Sequence, residues 1–128
     1  MVAELRGGKA FLVSITASEL LARIDAHNAP TILDVRSAGE YNRGHVPGAI
    51  HLPFWTIGAH LSEIPGAPED PVVVYCGYGP RAWGAGGLLR RHGFRSVIYL
   101  KGHMHGWRRA GLREQKAERP RPCRAEDK

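Results

Sequence analysis

Apolar residues fall in short, dense runs along the chain, each closed by glycine, proline or a polar cluster. FLVSI at 11–15, TILDV at 31–35, AIHL at 49–52, VVVY at 72–75 and SVIYL at 96–100 are rich in β-branched side chains and too short for helices, so they read as strands. VVVY is apolar throughout rather than alternating. Both of its faces are therefore predicted to be covered, as in a parallel sheet lying between helices. Thr16 followed three positions later by Glu19 is a capping-box pattern, and Leu20, Leu21 and Ile24 give the helix it opens one apolar face. The Asn-Ala-Pro stretch at 28–30 stops that helix. A further helix is predicted over 81–91, although Gly84, Gly86 and Gly87 each weaken a helix interior by ~1 kcal/mol. Glycines in such a place predict close packing on the sheet or on a neighbouring helix.

The 128 residues, 43% hydrophobic and 23% charged, predict one compact domain over 1–112. Residues 113–128, with alternating charges and Pro120 and Pro122, offer little to bury and are predicted to form a flexible tail. Charge is unevenly placed. The net +6 arises largely from 71–113, which holds eight arginines or lysines and no carboxylate. Such a block raises the local positive potential and favours an anionic ligand. No binding motif or interleaving of basic and aromatic residues accompanies it, so no nucleic-acid partner is expected. No window approaches the ~20 apolar residues that span a bilayer, and the most apolar early stretch, at 10–17, runs at once into Ser18 and Glu19. Two cysteines in unlike surroundings, Cys76 and Cys123, make no disulfide framework, which predicts a reducing, cytoplasmic setting and no membrane association.

Cys76 is the residue most suited to chemistry. It follows VVVY directly and opens the loop Cys76-Gly77-Tyr78-Gly79-Pro80-Arg81, beyond which a helix begins. Ligands of open parallel sheets bind at the carboxyl ends of strands, where the next helix presents its N-terminus. Gly77 and Gly79 permit a tight turn, and Pro80 suits the first turn of a helix. Inward-facing amides and Arg81 would favour the thiolate, making Cys76 a nucleophile. His103 and His105 lack a second cysteine or a helical histidine pair, so no metal site is predicted. His45 and His51, flanked by turn residues, read as structural, and Trp83 and Trp107 as core packing.

The stretch ILDVRSAGEYNRGHVPGAIHLP at 32–53 and the unit VVVYCGYGPR resemble the signature and active-site loop of the rhodanese-like sulfurtransferases. GHMHGW at 102–107 is similar to the glycine-and-tryptophan turn near the end of that domain. The resemblance covers roughly 11–112 and implies an α/β fold with a five-stranded parallel sheet between helical layers. It implies that Cys76 carries a persulfide and that Arg81 binds an anionic substrate. Gly77, Tyr78 and Gly79 would line the pocket with backbone amides, as would the amide of Arg81. Asp34 and Arg36 match residues that brace the active-site end of the sheet, while Glu40 and His45 look structural. Ala82 departs from the hydroxyl residue often found after the loop arginine. Tyr78 and Pro80 replace the polar or basic residues of members efficient on thiosulfate, which predicts low activity on that donor.

The implied reaction moves sulfane sulfur from thiosulfate or a related anion to a thiol, cyanide or protein acceptor, with no cofactor or metal. Two other readings use the same residues. One is a binding or redox-sensing module on this fold. The other is a phosphatase of the related fold, whose Cys and Arg are separated by five residues rather than the four found between Cys76 and Arg81.

Overall fold

A computed structural model describes residues 13–116. The elements run β1 (Ser14–Ile15), α1 (Ala17–Asp25), β2 (Thr31–Asp34), α2 (Ala38–Arg43), β3 (Ile50–His51) and two 3-10 segments, Phe54–Ala59 and Leu61–Glu63. After these come β4 (Val72–Tyr75), α3 (Pro80–Arg91), β5 (Val97–Leu100) and α4 (His103–Arg109). All strand pairs are parallel, in the order β1-β5-β4-β2-β3. The sheet therefore has five strands with helices against it, as the sequence predicts, and β4 lies at its centre.

Alternation along β4 divides the core. Val72 and Val74 pack with Leu33, Ile57, Ala82, Ala85 and Leu89 under α3, whereas Val73 and Tyr75 pack with Leu20, Ile98, Met104 and Trp107 beneath α1 and α4. Both faces of β4 are buried, which explains why its sequence lacks a polar position. The predicted capping box forms at α1: Glu19 N–H donates to Thr16 Oγ1 at 3.1 Å, and Thr16 N–H donates to Glu19 Oε1 at 3.2 Å.

The α3 glycines divide into two kinds. A Cβ on Gly86 would overlap the Tyr99 hydroxyl of β5, so the predicted close packing is present there. A Cβ on Gly84 or Gly87 would meet nothing within 4 Å. These two instead line a surface groove of about 410 Å³ with Phe54, Trp83, Leu88 and Arg91. Trp83 is 52% exposed, which corrects its expected place in the core; Trp107 is fully buried. The reason is helical phase, since Ala82 and Ala85 take the positions facing the sheet and turn Trp83 outward.

The chain stays docked past the end of α4. Gln115 exchanges backbone hydrogen bonds with His45 at 2.8 and 2.9 Å, and the Trp107 indole donates to the Arg113 carbonyl at 2.9 Å. Arg113 also pairs with Asp25 at 2.6 Å. The boundary that the sequence places before residue 113 thus falls inside a docked stretch. Residues 117–128, the remainder of the expected tail, lie outside the described residues, as does Cys123.

Candidate active site

Cys76 begins the loop that leaves the carboxyl end of the central strand, and it is fully buried. Gly79 turns the chain with φ +139°, where a Cβ would lie 2.9 Å from the Trp83 ring and 3.3 Å from His103 Nε2. Glycine is required on both counts, conformation and space. The turn aims the Gly79 N–H at Cys76 Sγ, 3.0 Å away. Pro80 then starts α3 at a position where an N–H would lack a helical partner.

The loop is tied down by α4. Met104 N–H donates to the Cys76 carbonyl at 2.9 Å and His105 N–H to the Gly77 carbonyl at 3.0 Å. The first-turn amides of a helix have no acceptor within it, so here they serve as anchors for the loop. Cys76 N–H in turn donates to His103 Nδ1 at 3.3 Å. His103 is buried and holds a left-handed backbone, φ +53°. Burial lowers its pKa below the ordinary histidine value.

Asp34 and Arg36 form a buried ion pair at the end of β2. The Arg36 side chain donates from Nε to Asp34 Oδ1 at 3.0 Å and from Nη2 to Oδ2 at 2.7 Å, while its backbone N–H also reaches Oδ1 at 3.0 Å. Nη2 further donates to the Gly44 carbonyl at 2.7 Å. The Tyr75 hydroxyl donates to Asp34 Oδ2 at 2.7 Å and accepts Val46 N–H at 3.0 Å, linking the pair to the central strand. Burial, with the Asp34 charge beside it, pushes the Tyr75 phenol well above its ordinary pKa. His51 Nε2 lies 2.7 Å from the Arg36 carbonyl, and His45 Nδ1 lies 2.9 Å from the Tyr41 carbonyl under a stacked Tyr41 ring.

Arg81 faces Glu40. Its Nη1 and Nη2 donate to Glu40 Oε1 and Oε2 at 2.7 and 3.1 Å. Glu40 also closes a capping box with Ser37 at the start of α2. Partial burial alone would raise the Glu40 carboxyl, but the bonds from Arg81 and Ser37 overcome it and hold the pKa at about 2. Arg81 thus reaches the loop as half of a compensated pair. Sequence reasoning gave Glu40 a structural role and missed this partner; the Ser37-x-x-Glu40 spacing carries the capping signal, while the contact with Arg81 spans 41 positions.

Tyr78 stands exposed at the loop tip, its ring centroid 4.7 Å from that of His105. A cavity of about 140 Å³ flanks the loop, lined by Arg36, Glu40, Gly77, Tyr78, Met104, His105 and Arg108. Among the described residues, no group of three or more His, Cys, Asp or Glu gathers as metal ligands. No helix among them is long and apolar enough to cross a membrane.

The described residues thus form a parallel α/β layer with a buried cysteine in a glycine loop at the carboxyl end of its central strand. The chain belongs to the family described as the rhodanese-like domain, whose profile matches residues 16–110. It is 33% identical over 98 residues to a sulfurtransferase of Allochromatium vinosum, an alignment covering 77% of this chain and 90% of that protein. The fold is similar to the Alr3790 protein from Anabaena sp., with a TM-score of 0.72, 30% identity and coverage of 81% of this chain and 82% of that one. It is also similar to part of a thiosulfate sulfurtransferase from Pseudomonas aeruginosa, with a TM-score of 0.73 and 25% identity, covering 80% of this chain and 20% of the larger protein. Two other curated relatives are longer, and the chain spans 45% and 43% of them. Family and relatives together define a sulfurtransferase-type protein.

Proposed function

We propose that the protein transfers sulfane sulfur through a persulfide on Cys76. The observation that carries this reading is the Gly79 N–H directed at Cys76 Sγ at 3.0 Å, at the carboxyl end of the central strand. An amide so placed stabilises negative charge on sulfur in both the thiolate and the persulfide. In the first step the Cys76 thiolate attacks the outer sulfur of thiosulfate, the S–S bond breaks, and sulfite leaves with the bonding pair. In the second step an acceptor thiolate or cyanide attacks the outer sulfur of the persulfide. Cys76 leaves as thiolate, and the acceptor becomes a persulfide or thiocyanate. Neither step needs an external oxidant or cofactor.

Each remaining residue has a part in this reading. Gly77 and Gly79 shape the loop, Tyr78 covers it, and Arg81 supplies a positive charge that Glu40 holds in place. Asp34 and Arg36 keep the end of the sheet rigid. Cys76 is buried, so a donor reaches Sγ only by displacing part of what covers it. The cytoplasm, a reducing compartment, would keep the thiol available.

Intact-mass spectrometry after incubation with thiosulfate tests the proposal. We expect a gain of ~32 Da that dithiothreitol removes, as for a reversible cap on a reactive thiol. Cys76→Ser should abolish both the adduct and thiocyanate formation. An adduct that persists in Cys76→Ser would overturn the assignment. Hydrolysis of an aryl phosphate that depends on Cys76 and outpaces sulfur transfer would favour the phosphatase reading instead.

A further inference from the structure

His103 combines three features that the reading above does not use. It is more than nine-tenths buried, it holds a left-handed backbone that a β-carbon disfavours, and its ring lies against the cysteine loop. Its Nδ1 accepts the Cys76 N–H, so the lone pair is on Nδ1 and the proton of the neutral ring is on Nε2. Nε2 has no hydrogen-bond acceptor among the described residues. Burying a donor without a partner is costly, and such orphans call for a specific explanation. Backbone strain is likewise found concentrated at functional positions.

The surroundings indicate what the donor is kept for. Nε2 lies 3.3 Å from the point a Cβ of Gly79 would occupy, and the amide of the same Gly79 reaches Cys76 Sγ. Two N–H groups therefore meet at one loop residue beside the sulfur. Arg81, the residue the sequence singles out as the anion binder, has both terminal nitrogens on Glu40, whose carboxylate offsets its charge. An anionic sulfur donor entering the loop meets Arg81 in competition with Glu40 and gains from a hydrogen-bond donor that has no such partner.

We propose that the Nε2–H of neutral His103 binds the anionic head of the sulfur donor, donating a hydrogen bond to a sulfonate oxygen of a thiosulfate-type substrate. The contact strengthens as negative charge gathers on the departing sulfite oxygens, and no proton needs to move. The inference rests on the persulfide reading of Cys76 but concerns binding, so it is testable where no sulfur can be transferred.

The full chain carrying Cys76→Ser, with its histidines labelled with nitrogen-15, is titrated with thiosulfate. We expect the His103 Nε2 resonance to shift on saturation. Adding His103→Gly, which suits the left-handed turn, should weaken binding by about tenfold, the loss of one charge-assisted hydrogen bond. His103→Asn tolerates the same backbone and carries both an acceptor and a donor, so it should recover part of that loss. With Cys76 intact, His103→Gly should raise the KM for thiosulfate more than it lowers kcat, and should impair loading from thiosulfate more than loading from the uncharged donor dimethyl trisulfide. An unmoved Nε2 resonance, equal affinity in His103→Gly, or no binding of thiosulfate at all would overturn the contact. Binding through Nε2 together with no sulfur transfer by the wild type would instead retain the contact and refute the persulfide reading.

Discussion

Two arginine–carboxylate pairs are alike in chemistry: Asp34–Arg36, just before α2 in the chain, and Glu40–Arg81, whose carboxylate is on α2. In the Asp34–Arg36 pair the side chains are 0% and 2% exposed, and Gly44, Tyr75 and the Arg36 backbone amide add further hydrogen bonds to it. In the Glu40–Arg81 pair the side chains are 29% and 30% exposed, and the partner elements are α2 and the first turn of α3. Burial separates their roles. A buried, fully bonded pair loses heavily when one half is removed, because the other charge is left without water. A half-exposed pair can part at small cost, since water replaces the lost partner. The first pair holds the end of the sheet, and the second sets how much positive charge the loop presents.

Asp34→Ala should produce the largest effect, since it strands the Arg36 guanidinium and the Tyr75 hydroxyl. Urea unfolding is expected to lose about 3–5 kcal/mol. A loss below about 1 kcal/mol, the range of exposed pairs, would erase the distinction drawn here.

Glu40→Gln should lower stability by about 1 kcal/mol or less, yet it frees the Arg81 guanidinium. The KM for thiosulfate should fall while the melting temperature hardly moves. A rise in KM would mean that Glu40 is needed to aim Arg81 rather than to offset it. Acid titration gives an independent check. The Glu40 carboxyl is depressed from 4.5 to about 2, so its contribution to stability is complete above 4.5 and is lost as the pH falls toward 2. That part of the acid unfolding curve should flatten in Glu40→Gln.

The smallest effect belongs to Arg113–Asp25, whose side chains are more than half exposed. Arg113→Ala should leave the urea midpoint within error at physiological salt, where surface pairs are screened. A clear shift would show that the docked segment after α4 depends on this contact.

Much of this architecture is legible in the sequence, for reasons particular to each element. β4 and the loop after it are readable because burial on both faces leaves VVVY without a polar residue and because the turn needs glycine and proline at fixed places. The α1 boundary is readable because Thr16 and Glu19 bond to each other's backbone across three residues. What escapes is set by contacts distant in sequence. Glu40 meets Arg81 only after α2 and α3 are brought together across the carboxyl end of the sheet. Trp83 lies on a glycine-rich helix whose apolar stripe is too weak to fix its phase. His103 carries no sign of its left-handed backbone beyond the Gly102 before it, and the docking of residues 113–116 rests on partners distant in sequence, such as His45 for Gln115 and Asp25 for Arg113.

The outward turn of Trp83 also opens the chemistry proposed for Cys76 to an optical test. Trp107 is sealed in the core with its indole bonded to the Arg113 carbonyl, so its emission should be blue-shifted and inaccessible to iodide. Trp83 lies half in solvent with its ring over Gly79, whose amide touches Cys76 Sγ. A sulfur added to Cys76, as proposed, changes the charge beside that amide and so the surroundings of the indole; with Trp55, which is also exposed, replaced by phenylalanine, filling and emptying of the cysteine should be readable as red-edge emission and quenching from Trp83, without a dye.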